Sequence, residues 1–128
     1  MDVADDRPIL LRNTMQITDG HLDGFKRAVH DAVSFVEANG PQLMVEVFID
    51  EDALWAYSFQ LYRDSESIVT HWMQSDPYIR EVMKHCVVRR LDLYGQPSGT
   101  VMDGTQPFLD EGVTVTVTPH FTGFVRLS

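Results

Sequence analysis

Asn13 stands in a run of apolar residues, where an amide must find a partner or meet a ligand. Ile9, Leu11, Asn13, Met15 and Ile17 alternate with Leu10, Arg12, Thr14 and Gln16. That is the period of a half-buried strand, so Asn13 shares its apolar face. Far downstream, His71 and Trp72 are neighbours, Ser75-Asp76-Pro77-Tyr78 follows, and His85 comes later. A histidine poised near neutrality is a suitable proton acceptor, and Trp72 and Tyr57 can stack on a flat ring and exclude water. Each group also has a plainer role. Asn13 can bond to neighbouring backbone, Trp72 lies at core spacing from Ile68, and His71 can be a helix-end surface residue. His85 falls near a helix C-terminus, where the dipole favours histidine. Tyr57 and Tyr78 can be packing residues.

The elements that must position these groups follow from the pattern. Residues 1–8 read as a polar arm, and residues 9–17 as the first strand. Leu22, Phe25, Val29, Ala32, Val33 and Val36 form one apolar stripe, which predicts a helix over about 20–38. Thr18 or Asp19 is the expected cap. Asn39-Gly40-Pro41 is the expected stop, through left-handed geometry. Strands are predicted over 43–49 and 54–62, joined by Asp50-Glu51-Asp52 as a hairpin. Trp55, Tyr57, Phe59 and Leu61 share one face of the second. A helix capped by Asp64 or Ser65 carries His71 and Trp72. Asp76-Pro77 restarts a second helix, and residues 87–94 form a fourth strand. The order is βαββαβ, the ferredoxin-like α+β pattern, with a cavity between helices and sheet and with Asn13 pointing inward beside Trp72. Arg89 and Arg90 are expected on opposite faces of the last strand, and His21 and His30 facing solvent. Both sheet faces carry large apolar groups, which predicts sheet-to-sheet packing in a homodimer. Residues 97–128 are an extension with one expected strand, in which Val113, Val115 and Val117 alternate with threonines.

With 128 residues and 44% hydrophobic content, the chain is one folded domain. A net charge of -9 disfavours nucleic acid and anionic membrane as partners. No apolar run approaches the ~18 residues a spanning helix needs, and no signal peptide is evident. Cys86 is the lone cysteine, so an intrachain disulfide is impossible and a reducing, cytoplasmic setting is the expectation. Asp50-Glu51-Asp52 lacks the spacing of a calcium loop.

At Asn13, across Asp64–Tyr78 and in Val87-Val-Arg-Arg-Leu-Asp-Leu-Tyr94, the chain resembles the antibiotic-biosynthesis monooxygenase superfamily, over about residues 9–96. Those proteins are dimeric ferredoxin-like domains whose sheets form a joint α/β barrel. One branch degrades haem. Its strand asparagine and helix tryptophan match Asn13 and Trp72, while its iron-ligating histidine falls at Val82. His85 lies three residues on, about 4.5 Å further along the axis. Another branch oxidises phenols or quinols with molecular oxygen and no metal or flavin. That resemblance implies a cofactor-independent monooxygenase acting on a small aromatic or polycyclic compound. Asn13, His71, Trp72 and His85 would be its catalytic groups, and Tyr57, Phe59 and Tyr78 its substrate contacts. A haem protein and a non-catalytic binding module are the alternatives.

Overall fold

A computed structural model describes residues 7–126; most of the polar arm expected at 1–8 lies outside them. The strands are β1 (Ile9–Ile17), β2 (Met44–Asp50), β3 (Trp55–Tyr62), β4 (Cys86–Tyr94) and β5 (Thr114–Thr118). The helices are α1 (Leu22–Asn39), α2 (Ser65–Gln74), α3 (Asp76–Met83), α4 (Gly99–Gly104) and α5 (Gln106–Asp110). The sheet order is β2-β3-β1-β4-β5. Its first four strands pair antiparallel in the ferredoxin-like arrangement. β5 joins parallel to β4, because α4 and α5 return the chain to the same end before it enters the sheet.

Register fixes the faces. Asn13 lies opposite Ser58 of β3 and Leu91 of β4. Ile9, Leu11, Met15 and Ile17 share its side and are buried against Phe25 of α1 and Ile68 of α2. Asp64 caps α2 by accepting from the Ser67 backbone N–H at 2.8 Å. Two expected helix ends differ. α1 starts after His21, which makes no side-chain cap. Gly40 ends it in extended geometry, φ -85°, because the following Pro41 disfavours a helical turn before it.

The other sheet face carries no helix. It presents Phe48, Tyr57 and Met44, with Phe48 56% exposed, and the half-buried Trp55, Phe59 and Leu61. At its centre Asp92 is buried and held by Arg90 at 2.9 Å, Arg12 at 3.0 Å and the Thr116 hydroxyl. The hydrogen bond from Arg90, helped by those from Thr116 and Arg12, keeps its carboxyl well below the usual carboxylate range. Arg89 and Arg90 both lie on this face, against the alternation expected. The β1–β4 register slips between Thr14 and Met15, so Arg89 is an extra residue in a bulge. Its guanidinium donates to Gln16 Oε1 at 2.8 Å. No helix among the described residues is long and apolar enough to cross a membrane.

Candidate active site

A cavity of about 110 Å³ lies between the helices and the inner face of β1, β2 and β3. Its walls are mostly aliphatic. Val29, Ala32, Val33 and Val36 come from α1, Val45 and Val47 from β2, and Ile79, Val82 and Met83 from α3. Asn13, His71, Ser75, Tyr78, Gln42, Ser58 and Gln60 supply the polar lining. None of the lining residues is Asp, Glu, Lys or Arg.

His71 sits at the buried end. Its Nδ1 and the Ser75 hydroxyl share a hydrogen bond of 2.9 Å, one helical turn apart. Both residues are buried. Removal from water disfavours the imidazolium and brings the His71 pKa down to about 4, so the ring is neutral at physiological pH. With Nδ1 engaged, Nε2 is the nitrogen left for a ligand. The Asn13 amide oxygen is buried with no partner, which is costly unless a ligand or water meets the amide.

A polar row runs along the inner face of β3. Gln60 Nε2 donates to Ser58 Oγ at 3.2 Å, and the Tyr62 hydroxyl donates to Gln60 Oε1. Gln42 Nε2 faces Gln60 Oε1 and the Tyr62 oxygen, each at 3.5 Å. Gln42 Oε1 is buried and unpartnered. Burial raises the Tyr62 pKa, so that hydroxyl stays protonated. Tyr78 closes another wall, stacked on Phe35 with centroids 4.5 Å apart.

The structure therefore brings together Asn13, His71 and Tyr78 of the residues singled out in the sequence. Four others lie elsewhere. Tyr57 and Phe59 occupy the helix-free face, because the inward positions of β3 are Ala56, Ser58, Gln60 and Tyr62. Trp72 turns toward α4, where a Cβ on Gly104 would come within 2.3 Å of its Cζ3; His71, not Trp72, stands on the cavity side of α2. His85 lies beyond the end of α3, its Nδ1 3.1 Å from His21 Nδ1, so His21 is half-buried in a histidine pair. Gly24 of α1 lets the His85 ring approach: a Cβ there would be 2.7 Å from it. Gln42, Ser58, Gln60 and Ser75 are the lining groups that sequence reasoning passed over. The polar alternation within β3, set against Asn13 across the ladder, was the available signal for two of them.

The histidine weighed as a haem ligand, His85, is outside the cavity, and the position matching the family ligand is Val82, an aliphatic wall residue. The described residues contain no group of three or more potential metal ligands. Burial pushes the Cys86 thiol up to about 11, which leaves it a packing group.

No protein-family profile matches the chain, and no curated protein does so either. Solved structures do. MupZ from Pseudomonas fluorescens aligns with a TM-score of 0.74 at 14% identity, over 94% of this chain and 95% of its own. So little of this chain is left unmatched that most of the C-terminal addition must lie within the alignment. SnoaB, a cofactor-independent oxygenase from Streptomyces nogalater, aligns at 0.61 and 8% identity, over 72% of this chain and 95% of its own. A proposed antibiotic biosynthesis monooxygenase from Caulobacter crescentus aligns at 0.60 and 13%, over 70% and 90%. At such identities the likeness speaks for architecture. The chain thus shares the ferredoxin-like architecture of these structures, among them ones described as antibiotic biosynthesis monooxygenases, with a fifth strand added in parallel at the sheet edge.

Proposed function

We propose that the protein is a monooxygenase that needs no bound cofactor and acts on a small hydroxylated aromatic compound in the cavity beside His71. The observation that carries this reading is the meeting of a neutral, buried imidazole and a buried amide oxygen without a partner in one largely apolar cavity. The resemblance to SnoaB, itself a cofactor-independent oxygenase, supports the same chemistry.

With its own proton on Nδ1 and donated to Ser75 Oγ, His71 keeps a lone pair on Nε2 for the substrate hydroxyl. A phenol near pKa 10 facing an imidazole of about 4 costs about 8 kcal/mol to deprotonate. Pairing of imidazolium and phenolate in the chamber returns about 4 kcal/mol, and the Asn13 amide, once turned over, donates from Nδ2–H to the new oxygen anion. The anion passes one electron to dioxygen, and the radical pair forms a carbon–oxygen bond. Loss of water from the resulting hydroperoxide leaves a quinone. The balance is one phenol and one dioxygen giving one quinone and one water.

The test is oxygen uptake with a phenolic substrate after metal and flavin removal. Turnover is expected in the native chain and to fall about 100-fold or more in His71→Gln. Unchanged turnover after replacing both Asn13 and His71 rejects the site. The weak basicity of His71 favours one second reading, a binding module without turnover. That reading predicts ligand retention and no oxygen uptake.

The helix-free sheet face completes the proposal. Phe48, Tyr57, Met44 and Trp55 are covered by the same face of a second copy, as the family resemblance implies. Sedimentation at micromolar concentration should give a dimer, and Phe48→Glu a folded monomer; a monomeric native chain refutes it.

A further inference from the structure

Three properties of the cavity narrow what it can hold, and they rest on the reading of this cavity as the ligand site. The first is charge. Among its lining residues there is no cationic side chain, so a carboxylate or phosphate entering it would lose water with nothing to replace it. The second is polar demand. The Asn13 and Gln42 amides each have a buried oxygen without partner. Turning Gln42 over would set its carbonyl against that of Gln60, since Gln42 Nε2 faces Gln60 Oε1. A hydroxyl both donates and accepts, so it can serve either end of either amide. An ether or ketone only accepts. Asn13 is level with Ser58, and Gln42, its Oε1 packed beside Gly40, reaches the level of Gln60 and equally that of Tyr62. Two residues of strand, about 7 Å, separate Ser58 from the nearer of those levels, a distance that one ring with hydroxyls at opposite ends can bridge.

The third property is width. The chamber measures about 110 Å³, whereas an engineered apolar cavity of about 150 Å³ is one that takes benzene. A single ring can be seated with small side-chain adjustments. Fused rings must either protrude through the mouth or displace α3, whose Tyr78, Ile79, Val82 and Met83 form one wall. No residue of α3 is buried, so this is the wall able to yield, but the two Tyr78 and Phe35 rings must then part.

We propose that the cavity selects an uncharged single-ring compound with two hydroxyl groups, and that Gln42 is a specificity-determining residue for the second hydroxyl. In the reaction above, such a diol and one dioxygen give a hydroxyquinone and one water, so the substrate supplies all the electrons.

Binding to the full chain under nitrogen tests this, by calorimetry with four probes: 1,4-dihydroxybenzene, 1,4-dimethoxybenzene, benzoate and the three-ring compound anthrone. The diol should bind at least about tenfold tighter than each of the others. Equal or tighter binding of the dimethoxy compound, benzoate or anthrone overturns the hydroxyl, charge or width argument respectively; so does absence of binding by the diol. Gln42→Leu should remove most of the preference for diol over 4-methoxyphenol, and an unchanged preference overturns the role of Gln42. Ala32→Leu, which fills the chamber, should weaken diol binding at least about tenfold; unchanged affinity places the ligand elsewhere. The oxygen-free readout separates this inference from the proposed reaction. Diol selectivity without oxygen uptake refutes the reaction alone, and oxygen uptake without diol selectivity refutes the inference alone.

Discussion

His71 makes the stability of the fold depend on pH below neutrality. In the unfolded chain its imidazole has a pKa near 6.5, and in the fold about 4. The unfolded chain therefore binds more protons between those values, and acid favours unfolding. Above 6.5 nothing is lost. At pH 5 the unfolded imidazole is almost fully charged while the folded one is almost fully neutral. At about 1.4 kcal/mol per pKa unit, the span from 6.5 to 5 corresponds to about 2 kcal/mol of lost stability. The loss approaches about 3.4 kcal/mol below pH 4. Urea unfolding at pH 7 and pH 5 measures it. For a chain of this size the midpoint should fall by roughly 1 M more in the native protein than in His71→Gln. Comparison of the two proteins cancels the other titrating groups. An equal fall in both would show that the His71 ring is charged or hydrated inside the fold. A neutral proton acceptor in a dry chamber would then be ruled out.

Other substitutions probe the contacts around the site. Gly104→Ala should destabilise by about 1–3 kcal/mol in urea, since the new methyl collides with Trp72. Gly24→Ala should destabilise the native chain, in which the His85 ring occupies the space. In a His85→Ala background the same change should instead stabilise by up to about 1 kcal/mol, through helix propensity. Asp92→Asn should cost about 2 kcal/mol at pH 7, a modest loss because the Arg12 and Arg90 heads reach water. That contribution is present above the unfolded carboxyl value of 3.8 and is lost as pH falls below it toward the depressed folded value.

The strands that carry the site were legible because alternation and register are the same information. Residues 9–17 have a single inward parity, so the inward direction of Asn13 followed from its neighbours. β3 was not legible in this way. Its two parities, Trp55-Tyr57-Phe59-Leu61 and Ala56-Ser58-Gln60-Tyr62, both carry aromatic bulk, and the larger set faces outward. On α2, neighbours are turned by about 100°, so His71 and Trp72 cannot share a wall. Choosing between them required α4, and Gly99-Thr-Val-Met-Asp-Gly104 with its terminal glycines reads as loop. His85 was misplaced for a simpler reason. The helix ends at Met83, two residues before the histidine expected on it.

The extra residue in β4 has a bearing on which length changes the chain can absorb. Losing one residue from a regular strand turns every later side chain through the sheet. At Arg89 and Arg90 the count is already one too many: Val88 and Leu91 face inward with two outward residues between them. Excision of Arg89 would leave Leu91 and Leu93 indoors and merely straighten the ribbon, so this is the one place in β4 where the sequence can shorten by a single codon without inverting its interior.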